Sequence, residues 1–249
     1  MDIRLPLLLT FLAGISTVLG AFVVFFLKDF KKSYLSFFLG MSAGTMVYLS
    51  FMELLPLAVE SISFRQANIT FFIGILLIGL VDKIIPHHYI NYYSKRRKEC
   101  NKLMITGFMV AVGLTIHNFP EGITVFMSSL GGVRLGFLIA FATALHNIPE
   151  GMAVATPIYF ATNSKRKAFG YSFLAGIAEP IGAFFAYLIF QQYFNSTFLS
   201  YIFAFVAGVM VYISFDELLP TCFKHSEGHT AIFGIIIGML IMALSLSFL

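Results

Sequence analysis

Long apolar runs separated by short polar breaks organise this chain from end to end. Eight runs can be marked, at about 5–27, 34–58, 69–86, 103–128, 135–160, 169–191, 198–220 and 230–249. Each is close to the ~20 residues a helix needs to cross the hydrocarbon core of a bilayer. None has the short alternating pattern of a barrel strand. The breaks fall at Lys28–Lys32, Glu60–Asn68, His87–Lys102, Ser128–Arg134, Asn163–Lys167, Gln192–Ser196 and Thr221–His229. Backbone groups in lipid must be satisfied within their own segment, so the pattern predicts an all-α polytopic membrane protein with eight transmembrane helices. The first run is too long for a signal-peptide core and has no convincing small-residue cleavage site, so it reads as a membrane helix. A single transmembrane domain is expected over 1–249, with 87–102 as a short basic loop.

Composition agrees. Hydrophobic residues make up 59% of the chain and charged residues 11%, with a mean hydropathy of +0.89. A soluble domain carries about 25% charged residues, so a cytosolic enzyme, a disordered protein and a nucleic-acid module are all excluded. The net charge of +4 matters through its placement. The breaks after runs 1, 3, 5 and 7 hold Lys28, Lys31, Lys32, Lys95, Arg96, Arg97, Lys98, Lys102, Lys165, Arg166, Lys167 and Lys224, whereas the other side has Arg4, Arg65 and Arg134. Lys83, at the end of run 3, joins the first set. The positive-inside rule then places both termini outside the cytoplasm and 87–102 inside it. Cys100 and Cys222 match no paired metal or redox spacing and face the reducing side as free thiols.

Two internal repeats stand out. Residues 43–56 read AGTMVYLSFMELLP and residues 207–220 read AGVMVYISFDELLP, identical at eleven of fourteen positions. With the topology above, one copy runs outward and the other inward. The fold expected is therefore an inverted repeat, runs 1–3 against runs 6–8, around a central pair formed by runs 4 and 5. Alternating-access carriers have a use for that symmetry; enzymes have no general need of it.

The second repeat carries chemistry. Run 4 contains His117-Asn118-Phe119-Pro120-Glu121-Gly122 and run 5 contains His146-Asn147-Ile148-Pro149-Glu150-Gly151. In each, His and Glu are four apart and share a helix face. Each proline lacks an N–H and loosens the bond to the carbonyl four residues back, that of Ile116 or Leu145. Imidazole, amide, carboxylate and freed carbonyl form a donor set suited to a divalent cation. For antiparallel neighbours, the histidines are level if the link centres on Gly131–Gly132, and the glutamates if it centres on Leu135–Gly136; register alone does not choose. Glu150 and Glu179 share the midpoint Ser164–Lys165, inside the next break, and should also be level. An ionised carboxylate at a membrane helix centre costs about 2.5–3.5 kcal/mol. Three of them, with two histidines and two asparagines, need a collective reason, and one or two bound divalent cations supply it.

These motifs, with Ala178-Glu179-Pro180 on the following run, resemble the ZIP (Zrt-/Irt-like) family of divalent-metal transporters, in its ZupT-like branch. The resemblance covers essentially the whole chain. It implies that His117, Glu121, His146 and Glu150 bind one metal, and that Asn118, Asn147 and Glu179, with the shared Glu121 and Glu150, bind or accommodate a second. It implies movement of Zn²⁺, and also Fe²⁺, Mn²⁺, Co²⁺ or Cd²⁺, across the cell membrane into the cytoplasm, the metal being substrate and not cofactor. Runs 1, 4, 5 and 6 would move against a scaffold of runs 2, 3, 7 and 8 that is often a homodimer. The loop between runs 3 and 4 departs from many members in having only His87-His88 where they carry a long His-rich tract.

Other residues keep two readings. Glu53 and Glu217 occupy matching places in the inverted repeat, and either line the two mouths of a pathway or are wetted helix ends. Asp216 aligns with Met52 and has no acidic counterpart. His225 and His229 are most simply solvated loop histidines, and the 11 methionines mostly packing. Two other functions compete with transport: a membrane metalloenzyme, and a metal-gated sensor using the same site. The first lacks a His-Glu-x-x-His element or a nucleophile beyond the ligands themselves; the second leaves the acidic positions at both mouths unexplained.

Overall fold

The computed structural model describes residues 3–27, 31–84, 99–190, 195–226 and 228–247. The loop histidines 87–88 and the basic run 95–98 lie outside them, as do Lys28 and most of the 87–102 segment. Among the described residues all regular structure is helical, and eight helices are long and apolar enough to cross a membrane. They are α1 (Arg4–Val24), α2 (Lys32–Ser61), α3 (Phe64–Ile84), α4 (Glu99–Gly131), α5 (Val133–Thr162), α6a (Lys165–Gly176) with α6b (Ala178–Phe190), α7 (Ser196–Lys224) and α8 (Thr230–Ser247). Several extend past the apolar runs. Helix α3 starts at Phe64, five residues before its run, because Gln66 and Ser63 satisfy the orphan groups of the first turn.

Punctuation follows local chemistry. Asn195 and Ser164 are N-caps whose side chains accept from the N–H groups of Phe198 and Lys167. Asn163 closes α5 in the left-handed conformation at φ 49°. Between α4 and α5 stands one residue, Gly132, at φ 156°, a conformation a side chain would oppose. The link expected over Ser128–Arg134 is thus far tighter, and it forces the two helices into an antiparallel hairpin.

The helices sort into two groups. In the first, α1, α4, α5 and the two parts of α6 pack mutually; in the second, α2 packs on α8 and α3 on α7. Contact between the groups runs mainly through α2 on α5 and α7 on α4. The α2–α8 seam is built from small residues. A Cβ at Gly44 would overlap the backbone of Ile235, and one at Gly238 the backbone of Met41. Both sit in G-x-x-x-G spacing, with Gly40 and Gly234, so the backbones approach where dispersion is strongest. Outward, α3 and α8 present Phe72, Leu76 and Leu80, and Phe233, Ile236 and Leu240, an apolar surface matched to acyl chains.

The two copies of the fourteen-residue repeat fold alike, in a way the sequence pattern did not announce. Both contain a π turn, at Ser50–Leu54 in α2 and Ser214–Leu218 in α7. At each, the serine hydroxyl donates to the carbonyl four residues earlier, Met46 or Met210, at 2.8 Å. Such back-bonding loosens the regular ladder and bends helices, and a π turn is the form that loosening takes here. Glu53 and Glu217 sit in these turns.

Candidate functional site

The α4–α5 hairpin stacks the two His-Asn-x-Pro-Glu-Gly segments against each other deep in the protein. His117 Nε2 donates to Glu150 Oε1 at 3.0 Å. His146 Nε2 lies 2.6 Å from Glu121 Oε1, as a close charge contact that is off the line of a hydrogen bond. Both pairs have their midpoint between residues 133 and 134, halfway between the two registers considered from sequence. The histidines are therefore not level with each other, nor the glutamates. Each imidazole instead meets the carboxylate of the opposite helix.

Three further helices complete the cluster. Asn147 Nδ2 donates to Glu179 Oε1 and, at 2.8 Å, to the carbonyl of Ala13 on α1. Asn118 Nδ2 donates to the carbonyl of Ala175 on α6a at 3.2 Å. Ser42 on α2 donates to Glu150 Oε1 at 3.1 Å. Glu179 is delivered by a one-residue break at Ile177, which makes it part of the first turn of α6b. Pro180 has no N–H to continue the ladder there, and the helix start carries partial positive charge that favours the carboxylate. Gly122 lets α6b in: its missing Cβ would fall on the backbone of Glu179.

All seven residues are at most 2% exposed. Buried polar atoms are almost always paired, yet among the described residues eleven buried side-chain N and O atoms lack a hydrogen-bond partner. Nine of the eleven belong to these residues: His117 Nδ1, Asn118 Oδ1, both oxygens of Glu121, both nitrogens of His146, Asn147 Oδ1, Glu150 Oε2 and Glu179 Oε2. The two elsewhere are Thr17 Oγ1 and Ser245 Oγ. Every residue of the cluster retains unspent donor capacity. Among the described residues no three His, Cys, Asp or Glu groups converge on one point at metal-ligand spacing; the groups are paired crosswise, each imidazole with a carboxylate. That pairing partly offsets the cost of burying the carboxylates.

The repeat acids part company. The Glu217 carboxylate lies against Gly113, one turn before His117, and with Asp216, Ile78, Ile116, Tyr212 and Ile213 it lines a cavity beside the cluster. Glu53 is partly exposed, in a turn that packs on α7 and on its own helix. His225 ends α7 with Nδ1 2.9 Å from the carbonyl of Thr221; burial pushes its imidazole below the usual range, with Lys224 and Lys32 adding to the effect. It takes no part in the cluster. Sequence reading missed Ser42 and the carbonyls of Ala13 and Ala175, which nothing in the pattern marks. The break at Ile177 did have a signal, in the Gly176-Ile177-Ala178-Glu179-Pro180 string.

Chemically, the donors are imidazole nitrogens with carboxylate and amide oxygens. That mixture suits first-row divalent metals better than Mg²⁺, which prefers oxygen and keeps its waters.

A family model described as ZIP Zinc transporter matches residues 86–246, a stretch that contains both motif copies and Glu179. Zinc transporter ZupT of Clostridium perfringens (strain 13 / Type A) is 43% identical, covering 98% of this chain and 96% of that protein. The protein of the same name from Streptococcus mutans serotype c (strain ATCC 700610 / UA159) is 45% identical, covering 96% and 95%. That of Chlorobium phaeovibrioides (strain DSM 265 / 1930) is 46% identical, covering 98% of each. Likeness at this level, end to end over eight apolar helices, leaves a multi-pass membrane protein that is not an enzyme: the chain belongs to the ZIP family of zinc transporters, in its ZupT-like branch.

Proposed function

We propose that the chain carries Zn²⁺, and with it Fe²⁺, Mn²⁺, Co²⁺ and Cd²⁺, across the cell membrane into the cytoplasm by alternating access. His117, Glu121, His146 and Glu150 bind one cation. Asn118, Asn147 and Glu179, with Glu121 and Glu150 shared, bind a second. The observation that carries this reading is the concentration of buried ligand atoms without a hydrogen bond: among the described residues nine of eleven lie on these seven, two of them, His146 Nε2 and Glu121 Oε1, held only by their charge contact with each other. Such an arrangement is costly in lipid and is relieved when a cation accepts the lone pairs.

The relatives' names, zinc transporters, support the cargo. The division into α1, α4, α5 and α6 against α2, α3, α7 and α8 supports a carrier unit moving on a scaffold. Matching π turns in the two repeat copies support the inverted repeat, and the basic residues support termini outside the cytoplasm. Glu217, beside the cluster and its cavity, guides the ion on the cytoplasmic side; Glu53 serves the outer mouth. A homodimer forms through the scaffold of α2, α3, α7 and α8.

The test is flux of radioactive zinc into proteoliposomes. Uptake should saturate, and His117→Ala should reduce it to the level of empty vesicles. Imidazole ligates only when neutral, so protons compete with the cargo and uptake should fall steadily as the outside is taken from pH ~7.5 to ~5.5. Uptake that stays flat or rises over that range counts against imidazole ligation. Metal binding with no flux would leave the sensor reading in place of the carrier.

A further inference from the structure

One hydrogen bond to the cluster comes from the other helix group. Ser42 on α2 is fully buried, and its single hydroxyl proton has two acceptors in reach: Oε1 of Glu150 on α5 at 3.1 Å, the oxygen that also accepts from His117 Nε2, and the weaker thioether of Met46 on its own helix at 3.8 Å; the shorter contact to the carboxylate is the one that holds it. The remaining Glu150 oxygen, Oε2, has no partner. Both donors sit on one oxygen, so they orient the carboxylate and leave the second oxygen open.

The hydroxyl is singular in its surroundings. One turn either way along α2 stand Phe38 and Met46, neither of which can donate. The nearby hydroxyl of Thr45 is spent within its own helix, donating to the carbonyls of Ser42 and Met41 at 2.7 and 3.1 Å. In the other copy of the repeat, Ala207 aligns with Ala43, so the place of Ser42 is taken by Val206, which is buried and apolar. The two halves are thus unequal at a point where the scaffold addresses a carboxylate of the cluster. A slide of α5 along α2 by one turn, about 5.4 Å, trades a donor for a thioether or a phenyl ring.

We infer that Ser42 is a positioning residue for the metal site: from the scaffold it aims the Glu150 carboxylate at the cargo, and it does so only in the register seen here. Metal affinity is thereby tied to the relative placement of the two helix groups, without any ligand being lost. The inference rests on the reading of Glu150 as a ligand.

The experiment is zinc uptake kinetics in proteoliposomes for Ser42→Ala and Ser42→Thr, with thermal unfolding of each purified protein. Ser42→Ala should raise KM about three- to tenfold, as expected for loss of one hydrogen bond to a charged group inside a membrane. Vmax should stay within about twofold and Tm should be close to that of the parent, since the orientation of one carboxylate and not the fold is altered. Ser42→Thr, which keeps the hydroxyl, should restore the parental KM; if its extra methyl lowers Tm, Ser42→Gly replaces the comparison and should reproduce the alanine KM. An unchanged KM in Ser42→Ala, or a fall in Vmax that tracks a fall in Tm, overturns the proposal. Failure of the underlying reading looks different: purified Glu150→Gln would then bind as much Zn²⁺ by calorimetry as the parent, whatever Ser42 does.

Discussion

Glu150→Ala should abolish zinc uptake and leave the protein about as stable as before. The two effects separate because of where the residue sits. An ionised carboxylate in the membrane interior costs about 2.5–3.5 kcal/mol, and alanine removes that cost. What is lost is the acceptor for His117 Nε2 and Ser42 Oγ, and interhelical hydrogen bonds in membranes average only about 0.6 kcal/mol each. The two buried donors left without an acceptor cost about 1–3 kcal/mol each, so gain and loss nearly cancel and Tm should stay close to that of the parent. Function has no such offset: merely supporting a metal ligand is worth about 10–100-fold in affinity, so deleting a charged ligand shared by two cations should exceed 100-fold or so. Thermal unfolding in detergent and uptake in vesicles check the two halves separately. Glu150→Gln, which keeps the shape and loses the charge, should be almost as defective; retained uptake there would mean the carboxylate acts structurally.

Gly122→Ala should abolish uptake by the opposite route, through packing. The added Cβ falls on the backbone of Glu179, with nothing flexible to yield. Helix α6b must retreat, drawing the Glu179 carboxylate off Asn147 Nδ2. Overpacking of this kind costs about 1–3 kcal/mol, so Tm should fall along with transport. The control is Gly170→Ala in α6a, where a Cβ meets nothing within 4 Å. Glycine costs roughly 0.5–1 kcal/mol relative to alanine inside a helix, so that variant should be neutral or slightly more stable and transport normally. Equal tolerance of both substitutions would show that the α4–α6b approach is looser than the backbone distances imply.

His117, Glu121, His146 and Glu150 were visible because polar groups at helical spacing inside apolar runs are conspicuous, and because the string occurs twice. Glu179 was visible through its place level with Glu150 across a short break. Ser42 was not: a serine in an apolar run reads as a small residue, and only its neighbour on α5 makes it a donor to a carboxylate. Glu53 and Glu217 look equivalent in the repeat, yet Glu217 lies against Gly113 beside the cluster while Glu53 sits in a partly exposed turn on α7. Identical strings meet different partners, and partners are what distinguish them.

By itself, the sequence determined the class of the protein, the number of helices able to cross a membrane, and which side chains bear the cost of burial in lipid. Those are local properties: hydropathy over a window and donor types at a fixed rise per residue need no partner to be read. Only the tertiary structure decided that each histidine faces the other helix's glutamate, that Glu179 rests on Gly122, and that a scaffold serine reaches Glu150. Such choices depend on axial register between helices, which is set to within a fraction of a turn by how closely backbones approach at glycines and by a one-residue link at Gly132. A shift of one residue, about 1.5 Å, changes every pairing while leaving the pattern along the chain untouched.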